Sequence, residues 1–184
     1  LLEKYNIKGK PGLTMDVISL SANTRANNRD ILAGLMLSFK EPLLNAGFMA
    51  GFDTKPFRTR VMKEVGANEY YQYLDKSSVA YAGLFKDFTL LEKPSGFIIM
   101  ASASLSAGYN FGPAFNGTTA RPESKVRIIP AAGIKFERSN LAMTAGIEYL
   151  KTEFYKIGPL WGRLGFTYSY RLSRVKKHEK KLEW

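Results

Sequence analysis

The stretch GRLGFTYSYRL, residues 162–172, decides how the rest of the chain is to be read. Leu164, Phe166, Tyr168, Tyr170 and Leu172 alternate with Arg163, Gly165, Thr167, Ser169 and Arg171. A period of two puts these sets on opposite faces of a β-strand, one apolar and one polar. In a soluble protein the apolar face is the core. In a membrane barrel it is the exterior, and the two arginines then point into the lumen.

The same alternation recurs upstream. Ile31, Ala33, Leu35, Leu37 and Phe39 share one face, as do Leu44, Ala46, Phe48, Ala50 and Phe52. The clearest case lies between Phe97 and Phe111, where Ala101, Ala103, Leu105, Ala107 and Tyr109 alternate with Ser102, Ser104, Ser106, Gly108 and Asn110. Val126, Ile128, Ala132, Ile134 and Phe136 oppose Arg127, Gly133 and Lys135; Leu141, Met143, Ala145, Ile147 and Tyr149 oppose Thr144, Gly146 and Glu148. Two further strands, about 13–23 and 73–91, are less regular, and a bulge would account for either. Lys86 and Asp87 blur the second.

Tight connectors at 40–45, 92–96 and 137–140 alternate with longer ones at 24–30, near 63–73 and at 112–124, each set rich in turn residues. Phe39, Phe48, Phe88, Phe97 and Phe136 fall near the tight turns, joined by Tyr168 and Tyr170. Phe57, Tyr109, Phe111, Tyr149, Phe154 and Trp161 fall near the opposite ends. Rings gathered at two heights around a midsection of small and aliphatic residues suit two bilayer interfaces. The expected fold is all-β: a transmembrane antiparallel up-and-down β-barrel of about eight strands over residues 12–173. An N-terminal periplasmic segment (1–11) precedes it and a basic periplasmic tail (174–184) follows. An even strand count places both termini on one side.

Composition is compatible with this. The 184 residues suffice for one domain, and a 45% hydrophobic content suits strands that are apolar on one face only. The mean hydropathy is −0.19. No apolar run is long enough for a transmembrane helix. With no cysteine there is no disulfide, thiolate metal site or thiol nucleophile. The net charge of +11 favours contact with some polyanion. The chain opens at Leu1 without Met or leader, as expected of a processed or trimmed form.

Residues Arg163, Leu164, Gly165, Phe166, Thr167, Tyr168, Ser169 and Tyr170 resemble the C-terminal assembly signal of outer-membrane barrels: a polar residue, a glycine two places on, then two aromatic residues one apart. Residues 12–173 as a whole resemble the small bacterial outer-membrane β-barrel proteins of the OmpA/OmpX-like kind, a Gram-negative envelope class. The resemblance implies assembly by the outer-membrane insertion machinery, with Arg163, Gly165, Tyr168 and Tyr170 in the recognised segment. The tail beyond Leu172 departs from the usual aromatic end.

Lys40, Asp53, Arg127, Lys135, Glu148, Arg163 and Arg171 occupy the inward positions. In a narrow barrel they are expected to pair and plug the lumen, with Glu148 the nearest acid to Arg163 and Arg171. A gated ion path or small-ligand site is the less favoured reading of the same charges. Gly47, Gly51, Gly108, Gly133, Gly146 and Gly165 make room for the long side chains. The single histidine, His178, lies outside every strand, which excludes a Ser–His or Asp–His centre in the barrel. No enzyme activity, cofactor or metal is expected. Arg174, Lys176, Lys177, Lys180, Lys181 and Trp184 form either a solvated end or a docking peptide for an acidic partner. Arg25, Arg29, Arg58, Arg60, Lys63 and Arg121 read as loop cations able to meet lipopolysaccharide phosphates.

The function expected is a non-enzymatic integral outer-membrane barrel, a structural or accessory subunit of a larger cell-envelope complex. A free-standing surface barrel binding lipopolysaccharide or host molecules is a variant of it. The competing class is a soluble lipocalin-like barrel with an apolar ligand inside. Nucleic acid is not expected as a partner, since arginines and aromatics share no strand face.

Overall fold

The computed structural model describes residues 15–57, 59–66, 69–75, 78–111, 126–151 and 158–172. The expected segments 1–11 and 174–184, with every tail residue named above, lie outside the described residues, as do Arg58, Arg121 and Phe154. Among the described residues ten strands run in chain order: β1 (Val17–Ala26), β2 (Ile31–Glu41), β3 (Ala46–Thr54), β4 (Thr59–Gly66), β5 (Glu69–Asp75), β6 (Ser78–Glu92), β7 (Phe97–Phe111), β8 (Val126–Arg138), β9 (Leu141–Tyr149) and β10 (Leu160–Arg171). Eight of them close into a barrel in the order β1-β10-β9-β8-β7-β6-β3-β2, all pairs antiparallel. The opening stretch is β10. It closes the barrel against β1, from Val17↔Arg171 to Ala26↔Gly162.

The two irregular strands differ in their cause. The β6–β7 register shifts between Thr89 and Leu91, a bulge where one was expected. β1 needs none and stays in register with both neighbours along its whole length. The segment near 63–73, read as a loop, is instead folded into β4 and β5, a two-stranded antiparallel sheet of its own. Its consecutive aromatics Tyr70 and Tyr71 break the alternation that marks the other strands.

The tight turns carry the backbone signature such turns need. Asn45, Gly96 and Ser139 each adopt a positive φ, of 50°, 75° and 55°. One left-handed residue lets a short connection match the twist of the strands it joins.

The faces settle which side is inside. Leu35, Leu105, Phe166 and Ile128 stand 55–69% exposed on the outer wall, with Leu20, Phe48, Leu84 and Leu164 beside them. Ser19, Ser21, Asn23, Ser106, Asn110 and Thr167 are buried within. This is the reverse of the soluble lipocalin-like alternative, which requires Ser106 and Asn110 to face water and Ala103 and Ala107 to build the core. An apolar belt around the whole barrel is far larger than the patches soluble proteins expose. Tyr109 and Phe111 pack edge to face at 4.9 Å at one height, and Phe97 stacks on Phe136 at 6.3 Å at the other. Trp161 departs from the expected belt. It points inward, 1% exposed, and its indole N–H donates to the Leu150 carbonyl at 3.0 Å.

Candidate functional site

Inside the barrel two groups of charges are stacked along the lumen. The first is at the end away from the tight turns. Arg25, the penultimate residue of β1, places its Nε 2.7 Å from Asp53 Oδ2 and 3.1 Å from Glu148 Oε1. All three side chains are at most 1% exposed. The guanidinium also lies 4.3 Å from the centre of the Tyr81 ring, a cation–π contact in a dry site. Asn23 on β1 donates to the Tyr81 hydroxyl at 3.5 Å.

Arg25 was expected in a loop, and Glu148 was expected to meet Arg163. Both expectations are corrected. The strand continues through Arg25, whose ladder neighbours are Arg163 and Leu32. Alternation from Ser19, Ser21 and Asn23 then turns its side chain inward. Arg163 instead donates through Nη2 to Met36 Sδ at 3.1 Å, and acts on Asp53 and Glu148 through its field. Two cations thus balance two carboxylates.

An apolar cap dries this group. Leu32, Val79, Ile129, Leu150 and Trp161 turn inward at the same end and are at most 2% exposed. Their signal was in the sequence, though weak. Ile31-Leu32, Ile128-Ile129, Tyr149-Leu150 and Leu160-Trp161 are apolar doublets, and in a strand one member of a doublet must face each way. Glycine supplies the space. A Cβ on Gly51 would come within 2.5 Å of the Tyr81 ring, and one on Gly165 within 2.7 Å of Asn23 Oδ1.

The second group lies toward the tight turns. Lys135 Nζ contacts Asp87 Oδ2 at 3.1 Å and Glu137 Oε2 at 3.5 Å, and Lys40 Nζ reaches Glu137 Oε2 at 3.8 Å. Here too two cations meet two carboxylates, but the Lys40, Lys135 and Glu137 side chains retain 12–20% exposure. Asp87 and Glu137 were not expected in the network. Lys86 and Asp87 obscured the register of β6 because two adjacent charges face opposite ways, Lys86 outward and Asp87 inward.

Between the groups is a cavity of about 70 Å³ bordered by Ser19, Ser21, Ser38 and Thr144, room for a few waters. Hydroxyl pairs cross the β1–β10 seam beside it, Ser19 to Ser169 and Ser21 to Thr167, each at 2.8 Å. Of the remaining expected residues, Arg127 stands half-buried on the inner face of β8. Arg171 is exposed at the end of β10, in the same lateral row as Lys40 across Val17, so it stands at the mouth of the lumen. Among the expected loop cations, Arg29 is exposed, and Arg60 and Lys63 lie on β4. Gly165 is buried, while Tyr168 and Tyr170 face outward, more than half exposed. Among the described residues no group of three or more His, Cys, Asp or Glu could hold a metal ion.

A closed, even-stranded, antiparallel barrel with charges inside and an apolar exterior defines the class: a small eight-stranded β-barrel of the outer-membrane type. No family model and no curated protein sequence matches the chain. Among solved structures it is similar to Ail, the attachment invasion locus protein of Yersinia pestis, in complex with the heparin analogue sucrose octasulfate. That match has 16% identity over 84% of this chain and 96% of the other, with a TM-score of 0.37. It is also similar to Neisserial surface protein A, with 11% identity over 87% and 99% and a TM-score of 0.49.

Proposed function

We propose that this protein is a non-enzymatic, non-conducting barrel of the bacterial outer membrane, serving as a structural or accessory subunit of a larger envelope assembly. The observation that carries this reading is the closed lumen: Arg25 held between Asp53 and Glu148 under an apolar cap. A narrow barrel filled by paired charges offers neither a water-filled path nor an open reactive group. The sole histidine, His178, follows β10 and removes the usual base for hydrolysis within the strands.

In this reading the tight turns and both termini face the periplasm. The 163–170 segment serves the insertion machinery, and exposed loop cations such as Arg29 meet lipopolysaccharide phosphates. The tail from Arg174 to Trp184 docks an acidic envelope partner. Purified protein in planar bilayers should stay electrically silent, and capture in mild detergent should recover an envelope protein that is lost when residues 174–184 are deleted. Steady unitary currents, or recovery of a partner-free monomer, overturns the proposal. Protease cleavage of the turns in intact cells overturns the orientation alone.

A further inference from the structure

The outer wall carries one feature that an annulus of lipid tails does not explain. Lys86 sits on the apolar face of β6, between Ala46 of β3 and Ala103 of β7 in the same lateral row. Its ammonium donates to the Leu44 carbonyl and lies 5.7 Å from the centre of the Phe88 ring. Among the described residues it has no carboxylate within ion-pair distance.

Around it is a groove of about 500 Å³, within the range of about 300–1,000 Å³ typical of ligand sites. Its floor is set by the small residues Ala46 and Ala103. Leu44 stands at one end, and Phe48, Leu84 and Leu105 form the ridge of the next lateral row. Glu41 also borders the groove, but its carboxylate is turned under the β2–β3 turn, where it accepts the Leu44 amide at 2.5 Å. It is 4% exposed. Lys86 pairs laterally with the first residue of β3, which places it beside the β2–β3 turn, the side on which its ammonium meets the Leu44 carbonyl and a bilayer places headgroups.

We infer that this groove is a binding site for one anionic phospholipid, its phosphate on Lys86 and one acyl chain along the Ala46–Ala103 floor. A cation with no acid beside it is complementary to a phosphate, and an apolar trough beside it, floored by the small residues of its own lateral row, is complementary to a chain. A lysine that merely snorkels needs no trough. The assignment of the lipid to the periplasmic leaflet rests on the orientation proposed above; the site itself does not.

The full-length protein in mixed micelles, examined by native mass spectrometry, tests this with phosphatidylglycerol and phosphatidylethanolamine as probes. The wild type should retain phosphatidylglycerol in preference. Lys86→Gln should lower that preference about fivefold, the equivalent of one basic group at an anionic surface. Ala103→Phe, which fills the floor and leaves Lys86 intact, should lower retention of phosphatidylglycerol. Lys93→Gln, on the exposed β6–β7 turn, should change neither. Equal retention of the two lipids, equal loss in Lys93→Gln, or a second copy of the chain occupying the groove in place of lipid overturns the inference. So does full displacement by inorganic phosphate, which would leave the trough without a role. Protease access to the turns tests the orientation separately.

Discussion

The two ends of the lumen hold the same balance of charge in different surroundings. At the capped end Arg25, Asp53 and Glu148 are at most 1% exposed beneath Leu32, Ile129, Leu150 and Trp161. At the turn end Lys40, Lys135 and Glu137 keep 12–20%. A low dielectric raises both the attraction within a charge group and the penalty for leaving one member alone. The capped end should therefore act as a rigid unit that fails as a whole, and the turn end as a set of weaker pairs that water can stand in for.

The sharpest way to break this comparison is Arg25→Gln, which strands two carboxylates in a dry site. Removing one partner of a buried charge group costs about 3–5 kcal/mol. It should lower the urea midpoint in detergent or vesicles and weaken the resistance of the folded form to unboiled electrophoresis. Adding Glu148→Gln to that variant should restore part of the loss, and the double-mutant cycle measures the coupling. Strict additivity of the two changes would show that the triad is not a unit.

Trp161→Ala comes next. Opening the cap should cost about 3 kcal/mol from the cavity and the lost Leu150 hydrogen bond. Lys135→Gln should follow at about 1–3 kcal/mol, the range for a buried polar partner, here Asp87, left unsatisfied. Lys40→Gln should be smallest, within about 1 kcal/mol, since its 3.8 Å contact with Glu137 is loose and partly wet. A Lys40 effect matching that of Arg25, read from the same urea series, would erase the distinction between the two ends.

Much of the architecture was readable from alternation. Leu164, Phe166, Tyr168 and Tyr170 face out because a strand gives them no other choice once Arg163, Gly165 and Thr167 face in. The turns at Asn45, Gly96 and Ser139 were marked by short polar breaks. The site was less legible. Arg25 sits in the run TRANNRD, whose polarity looks like loop; only pairing with β10 and β2 carries the strand that far. The β4–β5 sheet was hidden by adjacent tyrosines. Trp161 passed for a belt residue because ring position along a strand says nothing of face when the neighbour Leu160 is apolar too.

By itself the sequence determined that the chain makes strands, which face of most of them is greasy, and that the strand-forming stretches carry no histidine. Those are local properties, set by a period of two and by residue type. Which acids meet which cations was decided by closure. Asp53 and Glu148 lie on β3 and near the end of β9, far apart in the chain, and they come to Arg25 only because β1 pairs with β10 on one side and β2 on the other. The stagger of a closed barrel fixes relative height across its lumen, and no single strand carries that information.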